Sequence, residues 1–190
     1  MDSAEALLGE HRLDQITVDM VCAHSGRSRS TFYRNYEDFP ALLRALIMER
    51  HNRFLHDSVA EPDEQLEEYV ERGMAGLVST WHAHAPVWLT ALHLRALGPE
   101  GEALEEKWYQ MLLVKRPGVA AVALRTHAER GTRPPANLDA RIDNWLLATY
   151  YVLAHLFRAG APDPGTERAT VRAQTELGIL ACGFTPDAAG

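Results

Sequence analysis

The residues best suited to chemistry near the start of the chain are the arginines, hydroxyls and aromatic rings of residues 20–36, MVCAHSGRSRSTFYRNY. This stretch contains no Asp or Glu, although the whole chain carries a formal net charge of -7. Arginine can donate paired hydrogen bonds to guanine O6 and N7, and small hydroxyls can bind phosphate oxygens. The stretch is therefore suited to contact double-stranded DNA. The alternative is a solvated basic loop between two helices.

Two short helices are predicted to position these groups. Thr17 can cap the first helix, and Gly26 is suited to a positive φ in the turn that follows. Ser28 can cap the second helix, over residues 28–34, while Phe32 faces the opposite way and anchors it in the core. Helix, turn and helix form the arrangement that places a second helix in the major groove of DNA.

The rest of the chain is also predicted to be helical, because no segment alternates apolar and polar residues as a half-buried strand does. Gly, Pro and capping residues divide the chain into about nine helices. Besides the two helices above, the predicted segments are 2–11, 38–58 capped by Asp38, 63–84, Pro86 to residue 97, 100–130 kinked or cut at Pro117, 137–159 and 166–182. The expected fold class is all-α.

The cysteine content and the hydrophobic pattern indicate in which compartment the protein works and whether it contacts a membrane. Cys22 and Cys182 lie far apart, which is typical of two buried thiols in a reduced protein; a disulfide is the alternative. No apolar run approaches the ~20 residues that span a bilayer. The first residues lack the basic start and apolar stretch of a secretory signal. We therefore expect a cytoplasmic protein that does not contact a membrane.

The charge distribution restricts how such a protein could bind DNA. Residues 1–60 contain seven Arg against nine acidic residues, and residues 61–190 contain 12 Lys or Arg against 17 acidic residues. Neither part is basic overall. Any binding to DNA must therefore depend on a local patch, since the remaining charge repels phosphate.

Catalytic and metal-binding patterns are not apparent in the sequence. No Ser/His/Asp order, phosphate-binding loop or carboxylate pair stands out, so we do not expect an enzyme or a bound cofactor. His82 and His84 are two residues apart and project from different faces of a helix, which disfavours a shared metal ion. No metal site is predicted.

The segment TVDMVCAHSGRSRSTFYRNYEDFPALL, starting at Thr17, resembles the N-terminal domain of the tetracycline-repressor (TetR) family. The resemblance covers roughly residues 3–48. It is carried by Thr17, Val21, Ala23, Gly26, Ser28, Thr31-Phe32-Tyr33, Tyr36 and Leu42-Leu43. Members of the family are typically homodimeric DNA-binding regulators with a second, helical ligand-binding domain. The resemblance implies a three-helix helix-turn-helix domain over 1–48, with a shortened first helix, and a ligand-binding and dimerisation domain over 49–190.

The resemblance also implies roles for individual residues. The positions that meet bases and phosphates in the family's recognition helix are Ser28, Arg29, Ser30 and Thr31 here. Tyr33 and Thr17 fall on phosphate-contacting positions. Arg27 is either a further phosphate contact or simply exposed.

The chain departs from the family pattern at several positions. Phe39 and Pro40 stand where a Lys and a Glu are usual, which removes one expected phosphate contact. Arg12 stands for a usual Gly, Ser25 for a usual Ala and Arg27 for an apolar residue. The sequence begins in the middle of the family's first helix, which suggests a misassigned start or a naturally shortened protein.

Aromatic residues are concentrated in the predicted helices of the second domain. They indicate either ordinary core packing or a mostly apolar cavity between helices, which would bind a small apolar or aromatic ligand. The predicted lining residues are Met74, Trp81, Trp88, Leu92, Trp108, Met111, Leu112, Trp145 and Tyr150.

The last two helices are candidates for a dimer interface. Helix 137–159 includes WLLATYYVLAHLF, which is apolar on all faces and must be buried on more than one side. We expect Tyr151, His155, Ala173, Gly178 and Ala181 to form a four-helix interface between two copies. Alternatively, the two helices bury each other within one chain.

The function predicted from these patterns is a ligand-responsive transcriptional regulator. It would bind a pseudo-palindromic operator as a homodimer and act as a repressor that a small, mostly apolar ligand releases. The alternative is a helical ligand-binding or scaffold protein that does not bind DNA. The shortened first helix, Phe39 and the acidic balance favour that alternative.

Overall fold

The chain is mostly helical in the part that the structure, a computed structural model, describes: residues 1–56, 61 and 63–185. The predicted all-α class is confirmed, and these residues contain no β-strand. None of the helices described has the length and apolar composition needed to cross a bilayer. The α-helices are α1 (Asp2–Glu10), α2 (Val18–Ser25), α3 (Arg29–Asn35), α4 (Phe39–His56), α5 (Leu66–Thr90), α6 (Pro99–Leu112), α7 (Arg116–Glu129), α8 (Leu138–Phe157) and α9 (Pro164–Ala181). Short 3₁₀ helices occupy Leu13–Gln15, Ala91–Leu97 and Leu113–Lys115.

Capping residues determine where α2 and α3 begin. Thr17 Oγ1 accepts a hydrogen bond from the Met20 N–H at 3.2 Å, and Ser28 Oγ accepts one from the Thr31 N–H at 3.2 Å. Each bond satisfies a first-turn backbone donor that has no partner within the helix. Gly26 ends α2 with a φ of 64°, in the left-handed region that favours glycine. The two predicted caps and the predicted turn glycine are confirmed.

Prolines shape the middle of the chain. The sequence predicts that Pro86 opens a separate helix, but α5 runs through Pro86 with a kink at His84, where φ is -139° and ψ is 25°. Proline lacks an N–H and clashes with the preceding turn, so the departure from helical geometry falls just before it. Pro117 lies in the first turn of α7, after the 3₁₀ helix Leu113–Lys115. The predicted helix over 100–130 is therefore cut in two.

The chain divides into two compact units. The N-terminal unit contains Met1–Arg53 and His84–Tyr109, and the C-terminal unit contains Phe54–Ala83 and Gln110–Gly190. Packing into units does not identify which segment carries which function. The domain boundary predicted between residues 48 and 49 therefore stays a prediction.

A row of apolar side chains on α4 forms the core of the N-terminal unit. Leu42, Leu43, Leu46 and Ile47 are almost completely buried, and their spacing of one, three and four residues places them on one face of the helix. The buried residues Val87 and Leu94, which follow the α5 kink, belong to the same unit.

A buried arginine ties three segments of the N-terminal unit together. Arg50, on α4, is 5% exposed. Its Nε and Nη2 donate to Glu5 Oε2 at 3.0 and 2.8 Å, Nη2 also donates to Asp2 Oδ1 at 2.9 Å, and Nη1 donates to Glu49 Oε1 at 3.2 Å. The other oxygen of Glu5, Oε1, lies 2.6 Å from His84 Nδ1. Burial alone would lower the pKa of Arg50, but the hydrogen bonds and charges of its carboxylate partners hold that pKa above its usual value.

The core of the C-terminal unit joins helices α5, α7, α8 and α9. Its buried members include Leu66, Val70, Val122, Ile142 and Ile179. At one edge of this core, His127 is buried, with its Nε2 2.9 Å from the Cys182 carbonyl oxygen and its ring stacked on Phe184 at 4.1 Å. These contacts hold the chain end after α9 against α7.

Both cysteines are buried and free, as predicted, and each belongs to a different unit. Cys22 lies on α2, in the N-terminal unit. Cys182 follows α9, in the C-terminal unit, and burial raises the pKa of its thiol to about 12. Cys182 is therefore an uncharged thiol at neutral pH.

Helices α8 and α9 approach closely because Gly178 has no side chain. A Cβ at this position would lie 2.6 Å from Trp145 Cζ2, well inside van der Waals contact. The Trp145 indole is held in place because its Nε1 donates to the Gln174 carbonyl oxygen at 2.8 Å.

The close approach of α8 and α9 predicts how a side chain at position 178 affects stability. Gly178→Ala should lower the free energy of unfolding by about 1–3 kcal/mol, because a methyl group overpacks the contact with Trp145. The control is Gly73→Ala on α5, where a Cβ would meet no atom within 4 Å. Alanine should there raise the free energy of unfolding by about 0.5–1 kcal/mol through helix propensity. Urea denaturation followed by circular dichroism measures both, and equal effects of the two variants would contradict the packing assignment.

Candidate nucleic-acid interface

Helices α2 and α3 form a small packed pair joined by the Gly26 turn. Val21, Cys22 and Phe32 are each 7% exposed and supply the buried side of the pair. Helix α1 packs on α2, and α2 packs on α3. Burial of Phe32 fixes which face of α3 points to solvent, and burial of Val21 and Cys22 does the same for α2.

The solvent-facing side of this pair carries the predicted DNA-contacting residues, and we call it the α3 surface. Each of these side chains is exposed except that of Thr31, which is half-buried. The α3 surface consists of Thr17, Arg27, Ser28, Arg29, Ser30, Thr31 and Tyr33. The seven residues lie between positions 17 and 33 of the sequence, and the structure leaves their side chains accessible.

The hydroxyl groups of the α3 surface also hold α3 together. Ser28 Oγ caps the helix and lies 3.1 Å from Thr31 Oγ1. Asn35 Nδ2 donates to the Thr31 carbonyl oxygen at 2.7 Å, near the other end of the helix. Helix α3 has only two turns, so these local hydrogen bonds matter more than helix propensity does.

An ion pair that joins α2 to α3 lies on this surface. Arg29 Nη1 donates to Asp19 Oδ2 at 3.5 Å, and Arg29 Nε lies 3.3 Å from Asp19 Oδ1. Hydrogen bonding with Tyr33, and then the negative charge of Asp19, raise the pKa of Arg29 above its usual value. The guanidinium therefore stays charged, beside the Asp19 carboxylate.

The sequence interpretation missed Asp19, which lies beside the α3 surface and pairs with Arg29. The residues of the Asp19–Arg29 pair are ten positions apart, and helical spacing does not predict a contact across a turn at that separation. The available signal was that Asp19 is the sole acidic residue between Thr17 and Tyr36.

The aromatic residues of α3 and its flanks divide between burial and exposure. Phe32 is buried and meets Tyr33 edge to face, with ring centroids 5.3 Å apart. Tyr33 is 50% exposed, so its hydroxyl can reach a partner outside the protein. Phe39, at the start of α4, is 7% exposed and belongs to the core.

The predicted pocket residues lie in both compact units. In the N-terminal unit, Trp88 and Trp108 are buried and stacked with their ring centroids 5.5 Å apart, whereas Leu92 is exposed. In the C-terminal unit, the buried Trp81 lies 5.6 Å from Tyr150, centroid to centroid.

The four remaining pocket residues belong to the C-terminal unit: Met74 is buried, and Met111, Leu112 and Trp145 are half-buried. The pocket itself stays a prediction.

A groove of about 920 Å³ lies between α5 and α9 in the C-terminal unit. Its walls mix acidic, basic and apolar side chains, among them Glu71, Val78 and Arg172, and include none of the predicted pocket residues. At one end, His82 Nε2 lies 2.7 Å from Glu167 Oε2.

The two histidines of the HAH stretch have different carboxylate partners, since His82 contacts Glu167 and His84 contacts Glu5. Within the described ranges, no three His, Cys, Asp or Glu side chains are placed to share a metal ion.

The predicted dimer residues differ in accessibility within one chain. Tyr151, His155 and Ala173 are exposed, whereas Gly178 and Ala181 are buried. Leu177 and Leu180 on α9 are also exposed, although the sequence analysis did not predict them as interface residues. Residues 173, 177 and 180 recur every three or four positions and so share one face of α9.

The capping role of Ser28 can be separated from contact with a partner. Ser28→Ala should lower the free energy of unfolding by about 1 kcal/mol, because it removes the bond to the Thr31 N–H. Ser30→Ala is the matched control: Ser30 is exposed one position inside α3, and its change should stay within about 0.5 kcal/mol. Thermal and urea unfolding measure both variants. If Ser30→Ala is the more damaging of the two, the cap assignment is wrong.

No protein-family model matches this chain, and neither does any curated protein. The resemblance to the TetR family therefore depends on the residues of the chain themselves.

Proposed function

We propose that the protein is a DNA-binding transcriptional regulator of the TetR type, in which α2 and α3 form a helix-turn-helix. Helix α3 would enter the major groove as the recognition helix. The observation that carries this proposal is the α3 surface, where arginine, hydroxyl and tyrosine side chains stay exposed while Phe32 is buried behind them. An exposed set of such donors matches the base edges and phosphates of DNA.

Local charge supports this proposal despite the acidic chain. From Thr17 to Tyr36 there are three arginines and one acidic residue. Phosphate contacts act over short distances at physiological salt, since the Debye length is ~8 Å. A basic patch of this size can therefore bind DNA while more distant acidic groups are screened.

The regulator would act as a homodimer that presents two copies of α3 to a pseudo-palindromic operator. Support comes from the exposed apolar side chains Tyr151 on α8 and Leu177 and Leu180 on α9. Exposed apolar side chains grouped on one helix face are typical of interfaces. A two-fold pairing of α8 and α9 would cover them in a four-helix arrangement.

A small, mostly apolar or aromatic ligand would release the repressor from DNA. The protein offers two buried aromatic clusters, Trp88–Trp108 and Trp81–Tyr150, one in each unit. In one conformation of the dimer, the spacing of the two α3 helices would not match the operator. A ligand that binds this conformation better than the DNA-bound one would shift the dimer population away from DNA.

The second candidate is a helical ligand-binding or scaffold protein that does not bind DNA. Phe39 favours it, because this residue is buried where the family pattern has a phosphate-contacting lysine. Pro40 follows it in the first turn of α4 and carries no charge to replace that contact.

Replacement of Arg29 tests the proposal directly. Duplexes selected by the wild-type protein from a randomised pool serve as the probe in a fluorescence-polarisation titration at two salt concentrations. Arg29→Ala should weaken binding by about 1–3 kcal/mol, since a charged base or phosphate contact is lost. Arg133→Ala, in the exposed loop after α7, removes the same charge and should leave the affinity nearly unchanged. No saturable, salt-sensitive binding by the wild-type protein would instead favour the second candidate.

Replacement of Leu177 tests the dimer. Leu177→Glu should convert the dimer to a monomer in analytical ultracentrifugation, because a carboxylate cannot be buried unpaired at the interface. Leu124→Glu is the control: Leu124 on α7 is 49% exposed and Leu177 is 48% exposed. A sedimentation coefficient that changes equally in both variants, or a monomeric wild-type protein, would contradict the pairing through α9.

A further inference from the structure

Arg29, which pairs with Asp19, differs from Arg27, the other arginine of the α3 surface. Arg29 has a carboxylate beside its Nε and Nη1 atoms, at 3.3 and 3.5 Å. Arg27, two residues earlier, is exposed and forms no ion pair with the residues described. Two arginines of the same surface thus present different charges to an approaching duplex.

We infer that Asp19 makes Arg29 selective for guanine over phosphate and so determines the sequence specificity of the α3 surface. This inference rests on the proposed function, because it assumes that α3 contacts DNA. The partner it implies is a duplex whose half-site presents a guanine to Arg29.

The charge of the pair disfavours phosphate. The carboxylate nearly cancels the charge of the guanidinium when viewed from a distance, and a phosphate that approaches Arg29 is also repelled by Asp19. Attraction to phosphate depends on net charge and supplies most non-sequence-specific binding. Asp19 therefore weakens the contacts that carry no sequence information.

Arg29 keeps enough free N–H donors to bind guanine while it is paired with Asp19. A guanidinium has five N–H donors, and recognition of guanine O6 and N7 uses two of them. Even with the Nε–H and one Nη1–H both facing Asp19, three N–H donors remain. The Asp19 contact also restricts the rotation of Arg29, so less conformational entropy is lost when it binds a base.

The test compares a duplex selected by the wild-type protein with a scrambled duplex of the same composition, for the wild-type protein and Asp19→Asn. Asp19→Asn should raise the affinity for the scrambled duplex roughly 3–10-fold, because a repulsive charge is lost. The affinity for the selected duplex should change less than about twofold, because Arg29 there contacts guanine, which carries no net charge. The slope of log K against log salt for the scrambled duplex should steepen by about one phosphate contact.

A modified base identifies the guanine itself. Replacing each guanine of the selected duplex in turn by 7-deazaguanine removes the N7 acceptor. One such position should weaken binding of the wild-type protein and leave the already weaker binding of Arg29→Ala unchanged. If no position behaves in this way, Arg29 does not contact guanine and the inference is overturned.

The control for charge is Asp139→Asn, because Asp139 is likewise exposed and lies in the first turn of its helix, α8. It should leave both duplex affinities unchanged. Asp19→Ser serves as a second variant, and circular dichroism verifies that each variant is folded. An unchanged ratio of affinities in Asp19→Asn and Asp19→Ser, or an equal loss for both duplexes, would overturn the role of Asp19. Absence of saturable binding by the wild-type protein would instead refute the proposed function itself.

Discussion

The N-terminal unit depends on the hydrogen bonds and ion pairs of the buried Arg50 guanidinium. Its bonds to Glu5 and Asp2 attach α1 to α4, and the second oxygen of Glu5 reaches His84 at the kink of α5. Removing one partner of a buried charge pair typically destabilises a protein by about 3–5 kcal/mol, because the other charge remains buried. Helix α1 in turn packs on α2, and α2 packs on α3. The position of the α3 surface thus depends on a charged contact between two residues that lie 45 positions apart in the sequence and outside α2 and α3.

Interactions within a few residues were predictable from the sequence. The caps at Thr17 and Ser28 act on the residue three positions later, and the turn at Gly26 requires only a local left-handed conformation. Side-chain type and backbone position determine such contacts almost alone. For the same reason, the cut at Pro117 was predictable, because the missing N–H acts within one turn.

Interactions between elements were not predictable in the same way. Arg50 and Glu5 are 45 residues apart, and Asp19 and Arg29 meet across a turn. Their pairing depends on how helices pack, which hydrophobic spacing does not specify. The aromatic residues show a related limit: Trp81 and Trp108 have the composition of a cavity wall and equally that of a core. Only the arrangement of their neighbours distinguishes the two.

The two buried cysteines allow local opening of the protein to be measured by thiol labelling. A thiol reacts with alkylating reagents through its thiolate, and a pKa of about 12 keeps Cys182 protonated at neutral pH. Modification of Cys182 therefore requires that the end of α9 first open to solvent. Cys22, on α2, is also buried, so its modification requires that α2 open. Since one thiol belongs to each compact unit, the two labelling rates would report the local opening of each unit separately, without any engineered probe.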